Sequence, residues 1–419
     1  MISERILEIF KEITRIPRGS GHEEPMTEYL VKWATEHGLD VKRDEIGNVC
    51  ITREASAGKE NVPTLVLQAH QDMVCEKNEG VTHDFFKDPI EYVVENGWMI
   101  AKDTTLGADD GIGIAACLAL LESDLPMGKL ECVFTISEET GMDGAEAMKE
   151  GFFTGRTLIN LDSEDEGQMF IGCAGGVTTE AVYHFENEPV REGAKRCKLT
   201  IGGAIGGHSG DDINKGRANT VALMVRFLFS HLDTLQIIKI NGGGKHNAIA
   251  RECVAAVTCP DVKALKADFE RFGSEVKNEF RVTDPGLKFE CKEVEHPCKH
   301  LPINSAQAVK IVSSLWACPH GVAAMSQDVP GFVETSTNLA SIKMKEENTI
   351  LVGTSQRSSI ESCKLAVANQ VAATFKLAGA EVRHGDGYPG WAPNPDSKIL
   401  KVAQESYKRL FGKEAKIKA

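Results

Sequence analysis

The chain has 419 residues, 42% of them hydrophobic and 26% charged, with 39 glycines and 15 prolines. That is a globular composition, not a disordered, collagen-like or coiled-coil one, and its length exceeds the roughly 250 residues at which a single core stops growing, so two domains are expected. Sixty-one acidic against 47 basic residues give a formal charge of -14, which excludes nucleic acid or an anionic membrane as the main partner.

The opening MISERILEIFKEITRIP has helical amphipathic spacing with charges throughout, unlike a signal peptide. The longest uncharged apolar stretch, IGIAACLALL at 112–121, is about half of the ~20 residues a membrane span needs. Twelve cysteines carry no CxxC pair, and several sit in apolar runs where thiols pack as small hydrophobes. A reducing, cytoplasmic setting is expected, without disulfides or cysteine zinc sites.

In chain order, the pattern predicts helices over 3–15 and 23–37, then a strand-like VKRDEIGNVCITR ending in a break. A buried strand TLVLQ (64–68) follows, then a helix GIGIAACLALLES (111–123), a strand LECVFTI (130–136), a short helix over 144–151 and a strand TLINLD (157–162). Strands alternating with helices imply a largely parallel α/β sheet. From about residue 186 the rhythm changes: alternating stretches at 196–203, 252–258, 287–295 and 335–344 flank helical runs near 216–231, 304–317 and 360–378. The turn-rich GDGYPGWAPNPD then leads to an amphipathic helix over 396–411 in the style of the first domain. The expected organisation is a first catalytic part at 1–185, an inserted α+β domain at 186–384, and a return to the first domain at 385–419.

Open α/β sheets bind ligands beyond the carboxyl ends of their strands, and three strands here run into ligand-type residues. TLVLQ leads to His70 and Asp72, LECVFTI to Glu138 and Glu139, and TLINL to Asp162. LGADDG places Asp109 and Asp110 immediately before a helix. Taken singly, each has an ordinary structural role: His70 as a buried hydrogen-bonded ring, Asp109 and Asp110 as helix caps, the glutamates as a helix start, and Asp162 as part of an acidic surface run. As an ordered set they are expected to converge on one edge, where carboxylates would repel one another unless a cation neutralised them. The mixed nitrogen and oxygen donors suit zinc, with cobalt or manganese as alternatives, and a bridging carboxylate between two ions would make a hydrolase.

The motifs AHQDMV, TTLGADDGIGIA, SEETGMDGA, NLDSEDEG with GCAGG, and PGWAPNPDS together resemble the aminoacyl-histidine dipeptidase (Xaa-His or cytosolic non-specific dipeptidase) family of M20 metallopeptidases, from the N-terminus to the last helix. The resemblance implies a two-zinc α/β catalytic domain interrupted by a lid domain, and metal-dependent hydrolysis of Xaa-His and other dipeptides by a metal-activated water. It makes His70 and Asp162 ligands of one zinc, Asp109 the bridge, Glu139 a ligand of the second zinc, Glu138 the general base and Asp72 the residue that orients His70. Asp110 stands where relatives commonly have Asn. In the lid, GGAIGGHSG offers His208 and NGGGKHNAIARE offers Asn247 for the oxyanion, while GTSQRSS offers Arg357 for the substrate carboxylate. His246 is expected to be structural or solvent-facing.

The family pattern continues with a GPHSPDE-like segment whose histidine completes the second zinc site. These 419 residues contain no such segment, and His384 is not at the matching position. Two accounts of the chain follow: a shortened form of an active dipeptidase, which the persistence of the other site residues favours, or a truncated, impaired relative that binds a metal or a peptide. A related M20 amidohydrolase, a deacylase or carboxypeptidase, is the third reading. The expected partner is a small dipeptide; lid-mediated homodimers occur among M20 relatives, so self-association stays open.

Overall fold

The computed structural model describes residues 2–163, 165–294, 300–346 and 348–418. Glu164 of the DSEDE run and Glu295, the last residue of the strand expected at 287–295, lie outside them. The chain divides into two compact units, Met1–Glu166 and Gly167–Ala419.

In the first unit, α1 (Ile2–Ile13) and α2 (Glu24–Glu36) precede a hairpin of β1 (Asp40–Arg43) and β2 (Val49–Arg53). Then come β3 (Leu65–His70), a small hairpin of β4 (Tyr92–Glu95) and β5 (Trp98–Ala101), α3 (Ala108–Leu121), β6 (Leu130–Thr135), the one-turn helices α4 (Glu138–Gly141) and α5 (Asp143–Glu146), and β7 (Thr157–Asn160). The main sheet runs β1-β2-β6-β3-β7. Its β6, β3 and β7 are mutually parallel, while the β1–β2 hairpin joins β6 in antiparallel sense.

The parallel trio has a simple origin in sequence. LVLQAH and LECVFT are nearly continuous apolar runs, the pattern of strands buried on both faces, and α3 supplies the crossover between them. One face is sealed by α1 and α3: Ile9, Phe10 and Ile13 meet Ile114, Cys117 and Leu118 in a single buried cluster that also takes in Leu67, Ala69 and Phe134. Because β3, β6 and β7 run the same way, their carboxyl ends open on one edge, and this is where the candidate ligands stand.

The second unit contains β8 (Gln168–Phe170), β9 (Gly175–His184), β10 (Lys195–Gly202), β11 (Gly207–His208), α6 (Thr220–Phe229), β12 (Gln236–Gly243), β13 (Ala248–Ile249) and β14 (Cys253–Cys259). It continues with α7 (Val262–Glu279), β15 (Lys288–Glu293), α8 (Ser305–Ala317), β16 (Gly321–Met325), β17 (Val333–Lys345), β18 (Thr349–Ser358), α9 (Glu361–Leu377), β19 (Glu381–His384), α10 (Lys398–Phe411) and β20 (Lys416–Lys418). A long antiparallel sheet, β15-β10-β14-β12-β17-β18-β9-β19, carries β16 on β17. Its alternating strands send one row of side chains into a core under α6, α8 and α9, where Phe227, Val257, Leu315, Val352 and Phe375 are buried together. The helix α7 was not expected from the sequence, although Asp261 caps it by accepting from the Lys263 and Ala264 amides at 2.8 and 3.1 Å. Segment 385–419 is part of this unit, and β20 pairs in parallel with β8.

Candidate metal centre

The site in the first unit is built by three strand ends and one helix start. His70 closes β3, with its side chain sealed from solvent. Its Nδ1 faces Asp72 Oδ1 at 3.2 Å, while Nε2 faces Asp109 Oδ1 at 2.8 Å and Asp162 Oδ2 at 4.0 Å. The two nitrogens therefore have separate duties: Asp72 fixes the ring, and Nε2 points at the carboxylates that could share a cation.

Asp72 is the hub. Its Oδ1 also accepts from the Glu138 amide at 3.0 Å, and its Oδ2 accepts from the Glu139 amide at 3.2 Å and from Ser20 Oγ at 2.8 Å. Burial opposes its ionisation, but these bonds and His70 outweigh burial and hold the carboxyl down at about 2. The same carboxylate thus aligns the imidazole and both glutamates, since the Glu138 and Glu139 amides are free to bond outward at the first turn of α4. Ser137 makes the turn between β6 and α4 with a left-handed φ of 52°. On β7, Asn160 Oδ1 accepts from the Asp162 amide at 2.7 Å, and the Asn160 amide group is itself held by Gln68 of β3.

Asp109 and Asp110 are joined by a cis peptide bond at the start of α3, after Gly107 in the left-handed region. The Asp110 side chain turns inward and is buried. Its Oδ1 accepts from the Gly113 amide at 3.1 Å, and burial pushes its carboxyl up to about 7. A helix cap thus explains Asp110, as its position before α3 suggested, whereas Asp109 faces the cluster. A β-carbon at Gly113 would lie 2.2 Å from Asp110 Oδ1, so only glycine leaves room for that cap.

The electrostatics fit a divalent cation. Burial together with Asp109 and Glu138 raises Asp162 to about 6. Glu138 is raised by burial, Asp72 and Asp109, and Glu139 by burial, Asp109 and Glu138. Burial alone would lower His70, yet its bonds to Asp72 and Asp109 hold it up at about 10. Protons on Asp162 and His70 do part of the work a metal would do. Among the described residues, two donor groups can each close on an ion: His70, Asp109 and Asp162 in one, His70, Glu138 and Glu139 in the other. Imidazole nitrogen with carboxylate oxygen is a zinc-type set.

The lid residues foreseen from sequence meet in the second unit. His208 on β11 pairs with Ala248 of β13, next to Asn247. Its Nε2 lies 3.4 Å from Arg357 Nη2, and its Nδ1 lies 3.4 Å from Asp211 Oδ2. Arg357 on β18 donates from Nη1 to the Tyr388 hydroxyl at 2.9 Å, and its Nε is buried without a protein partner. A cavity of about 570 Å³ opens here, lined by Arg357, Asp211, Asn214, Phe332 and Ser336 among others. Half-buried Asn247 accepts from the Ser209 amide through its backbone carbonyl at 2.8 Å. His246 is exposed. Tyr388 was missed because a tyrosine in a glycine- and proline-rich loop carries no periodic signal. Ser20 and Arg18 were missed because single polar residues in a loop read as surface.

A model of peptidase family M20/M25/M40 matches residues 66–419. The chain belongs to this family. It is 40% identical over 415 residues to the cytosol non-specific dipeptidase of Escherichia coli (strain K12), covering 98% of this chain and 85% of that protein. Against the crystal structure of aminoacylhistidine dipeptidase from Vibrio alginolyticus it is 38% identical, with a TM-score of 0.94 over 100% of this chain and 86% of the other. The structure of aminopeptidase PepT from Bacillus cereus, 16% identical with a TM-score of 0.53 over 99% of this chain and 83% of that one, shows the shared fold alone. The M20 metallopeptidase assignment therefore agrees with the resemblance carried by the motifs. Among the described residues, no helix of this M20 peptidase is long and apolar enough to cross a membrane.

Proposed function

We propose that this M20 peptidase hydrolyses dipeptides, including those with C-terminal histidine, at a zinc centre that takes two ions when its site is complete, and that it does so in the cytosol. The observation that carries the proposal is the meeting of His70, Asp109 and Asp162, with Glu138 and Glu139 beside them, at the carboxyl edge of three parallel strands. His70 and Asp162 would hold one ion, Glu139 the other, and Asp109 both. Bound there, the metal pair supplies Lewis-acid polarisation of the scissile carbonyl and lowers the pKa of water.

The side chains do the remaining work. Glu138, held by its own amide on Asp72 but not needed as a ligand, takes the proton of the attacking water and returns it to the leaving amine as the C–N bond breaks. Its raised affinity for a proton suits that exchange. Asp72 keeps His70 Nδ1 engaged, so that Nε2 presents its lone pair to the metal. His208 and Asn247 donate to the oxyanion, and Arg357, with its unpartnered Nε, takes the substrate carboxylate in a two-pronged grip. In this reading the unit Met1–Glu166 carries the metal-centre chemistry and the second unit supplies the substrate-binding residues, with the boundary expected at 185 moved ahead of β9, which pairs with β18.

The test is zinc loading followed by hydrolysis assays on Xaa-His dipeptides, other dipeptides, tripeptides and N-acyl amino acids. Dipeptide turnover that is abolished by a chelator and restored by zinc is expected. Metal uptake with no turnover would replace the enzyme reading with a metal- or peptide-binding one, and preference for N-acyl amino acids would make the protein a deacylase.

A further inference from the structure

The end of β3 and the start of α3 approach each other without being neighbours in a sheet, so something other than a strand ladder must fix their spacing. Arg18 lies between them. It is among the largest fully buried side chains of the described residues, 2% exposed. Its Nη1 donates to the backbone carbonyls of Gln71 at 2.9 Å and Asp72 at 2.7 Å, and its Nη2 donates to the carbonyl of Gly107. The first two carbonyls follow His70, and the third precedes Asp109 by two residues.

The surroundings are shaped to this guanidinium. A β-carbon at Gly107 would lie 2.6 Å from Arg18 Nη2, and one at Gly111 would lie 2.7 Å from it. Gly107 is therefore needed for the cation as well as for its left-handed turn, and Gly111 for the room it leaves beside the guanidinium. The backbone of Arg18 is fixed in turn, with its carbonyl accepting from the Met73 amide at 3.1 Å. The rest of the loop reaches the other ligand-bearing end. Ser20 bonds to Asp72 at 2.8 Å, and Glu23, 5% exposed, accepts from the Ser137 amide at 3.0 Å and its hydroxyl at 3.2 Å, directly before Glu138.

We propose that Arg18 is a positioning residue for the metal centre, its guanidinium tying the strand end that carries His70 and Asp72 to the helix start that carries Asp109, with Ser20 and Glu23 extending the same loop to the glutamates. A guanidinium suits this task because its planar fork addresses several carbonyls at once, which a lysine ammonium on a flexible stem does not. It also places a positive charge close to Asp110, Asp72 and Asp109. Arg18 touches neither substrate nor metal; it acts through the spacing of His70 and Asp109.

The inference rests on the metal-centre reading, and the experiment separates the two. Zinc affinity is measured for the whole chain by competition with a chromophoric chelator, for the wild type, Arg18→Met and Arg18→Lys. Loss of a residue that orients ligands typically weakens metal binding ~10–100-fold. That loss is expected for Arg18→Met, with Arg18→Lys intermediate. In dipeptide hydrolysis at saturating zinc, kcat should fall while KM stays within about twofold. A merely structural arginine would lower the melting temperature without this ordered loss of zinc affinity. A folded Arg18→Met that binds zinc like the wild type overturns the inference. If Arg18→Met does not fold, Arg18→Lys decides it: wild-type affinity counts against the proposal and a clear loss supports it. A wild-type protein that takes up no zinc removes the metal-centre reading itself, and the inference with it.

Discussion

Glu138 and Glu139 are adjacent, share Asp72 through their amides and are both raised by burial among carboxylates, yet their proposed duties differ. A ligand must surrender its lone pair to a metal, while a base must keep one free for a proton. Replacing Glu138 with Gln keeps shape and removes basicity, so kcat for dipeptides should fall by roughly 10²–10⁴, the range that general-base catalysis supplies, while zinc stoichiometry is unchanged. Glu139→Gln should instead lower the zinc content. If Glu138→Gln loses metal and Glu139→Gln loses only rate, the two assignments are reversed. Arg357 gives a second test at this scale. Its Nη1 and Nη2 already engage Tyr388 and His208, and its buried Nε awaits a partner. Charge-assisted bonds contribute about 1.5–3 kcal/mol, so Arg357→Ala should raise KM for dipeptides ~10–100-fold and affect kcat less. Unchanged KM would detach Arg357 from the substrate carboxylate.

Elements carry the site only where their ends are pinned, and α6 shows what one pin contributes. Asn219 is 3% exposed; its Oδ1 accepts from the Val221 and Ala222 amides at 3.0 and 3.1 Å, and its Nδ2 donates to the Leu339 carbonyl at 2.8 Å. Asn219→Ala removes the cap, about 1 kcal/mol, and leaves buried backbone groups unpaired, which adds about 1–3 kcal/mol. A chemical-denaturation midpoint should reveal a loss of roughly 2–4 kcal/mol; a loss under 0.5 kcal/mol would mean that water replaces the cap. This pin, like the turn at Ser137, marks what sequence could and could not tell. Helices and strands with strong period were legible: α3, β3, β6, α8, α9 and α10 lie within a few residues of their expected bounds. The long strand β9 was not singled out, because GGVTTEAVYH opens on two glycines that read as a break, though Gly175 and Gly176 are needed where the Tyr388–Gly390 backbone and the Tyr388 ring press against them. The clustering of His70, Asp109, Glu138, Glu139 and Asp162 was legible because parallel strands deliver their ends to one edge. Arg18 was not, since its partners are backbone carbonyls, and these leave no mark on composition or period.

At the scale of the whole molecule, proton and metal compete for the same positions, and the sign of that competition can be worked out. His70 in the metal-free protein is held at about 10, above the ordinary 6.5, so its stabilising contribution is complete below 6.5 and is lost as pH rises through about 10. Asp162 is held at about 6, above 3.8, so its protonated form favours the native state at low pH, and that advantage is lost as pH rises through about 6. Asp162 therefore makes the metal-free protein less stable between pH 3.8 and about 6, and His70 does so from 6.5 up to about 10. The metal-loaded protein has already given up these protons, so metal binding releases them and tightens with pH. With free zinc at about 100 times its dissociation constant the bound ion contributes ~2.7 kcal/mol. Release of one proton changes that by about 1.4 kcal/mol per pH unit, and a domain of this size shifts its melting temperature by ~2–4 °C for each kcal/mol. The gap between zinc-loaded and chelator-treated melting temperatures should therefore widen by a few degrees per unit from pH 6 to pH 8, and below pH 6 it should close faster as Asp162 takes up its proton. His70→Ala should abolish most of the gap and its pH dependence together. A gap of constant size across this range would mean that the zinc responsible for stability is held elsewhere than on His70 and Asp162.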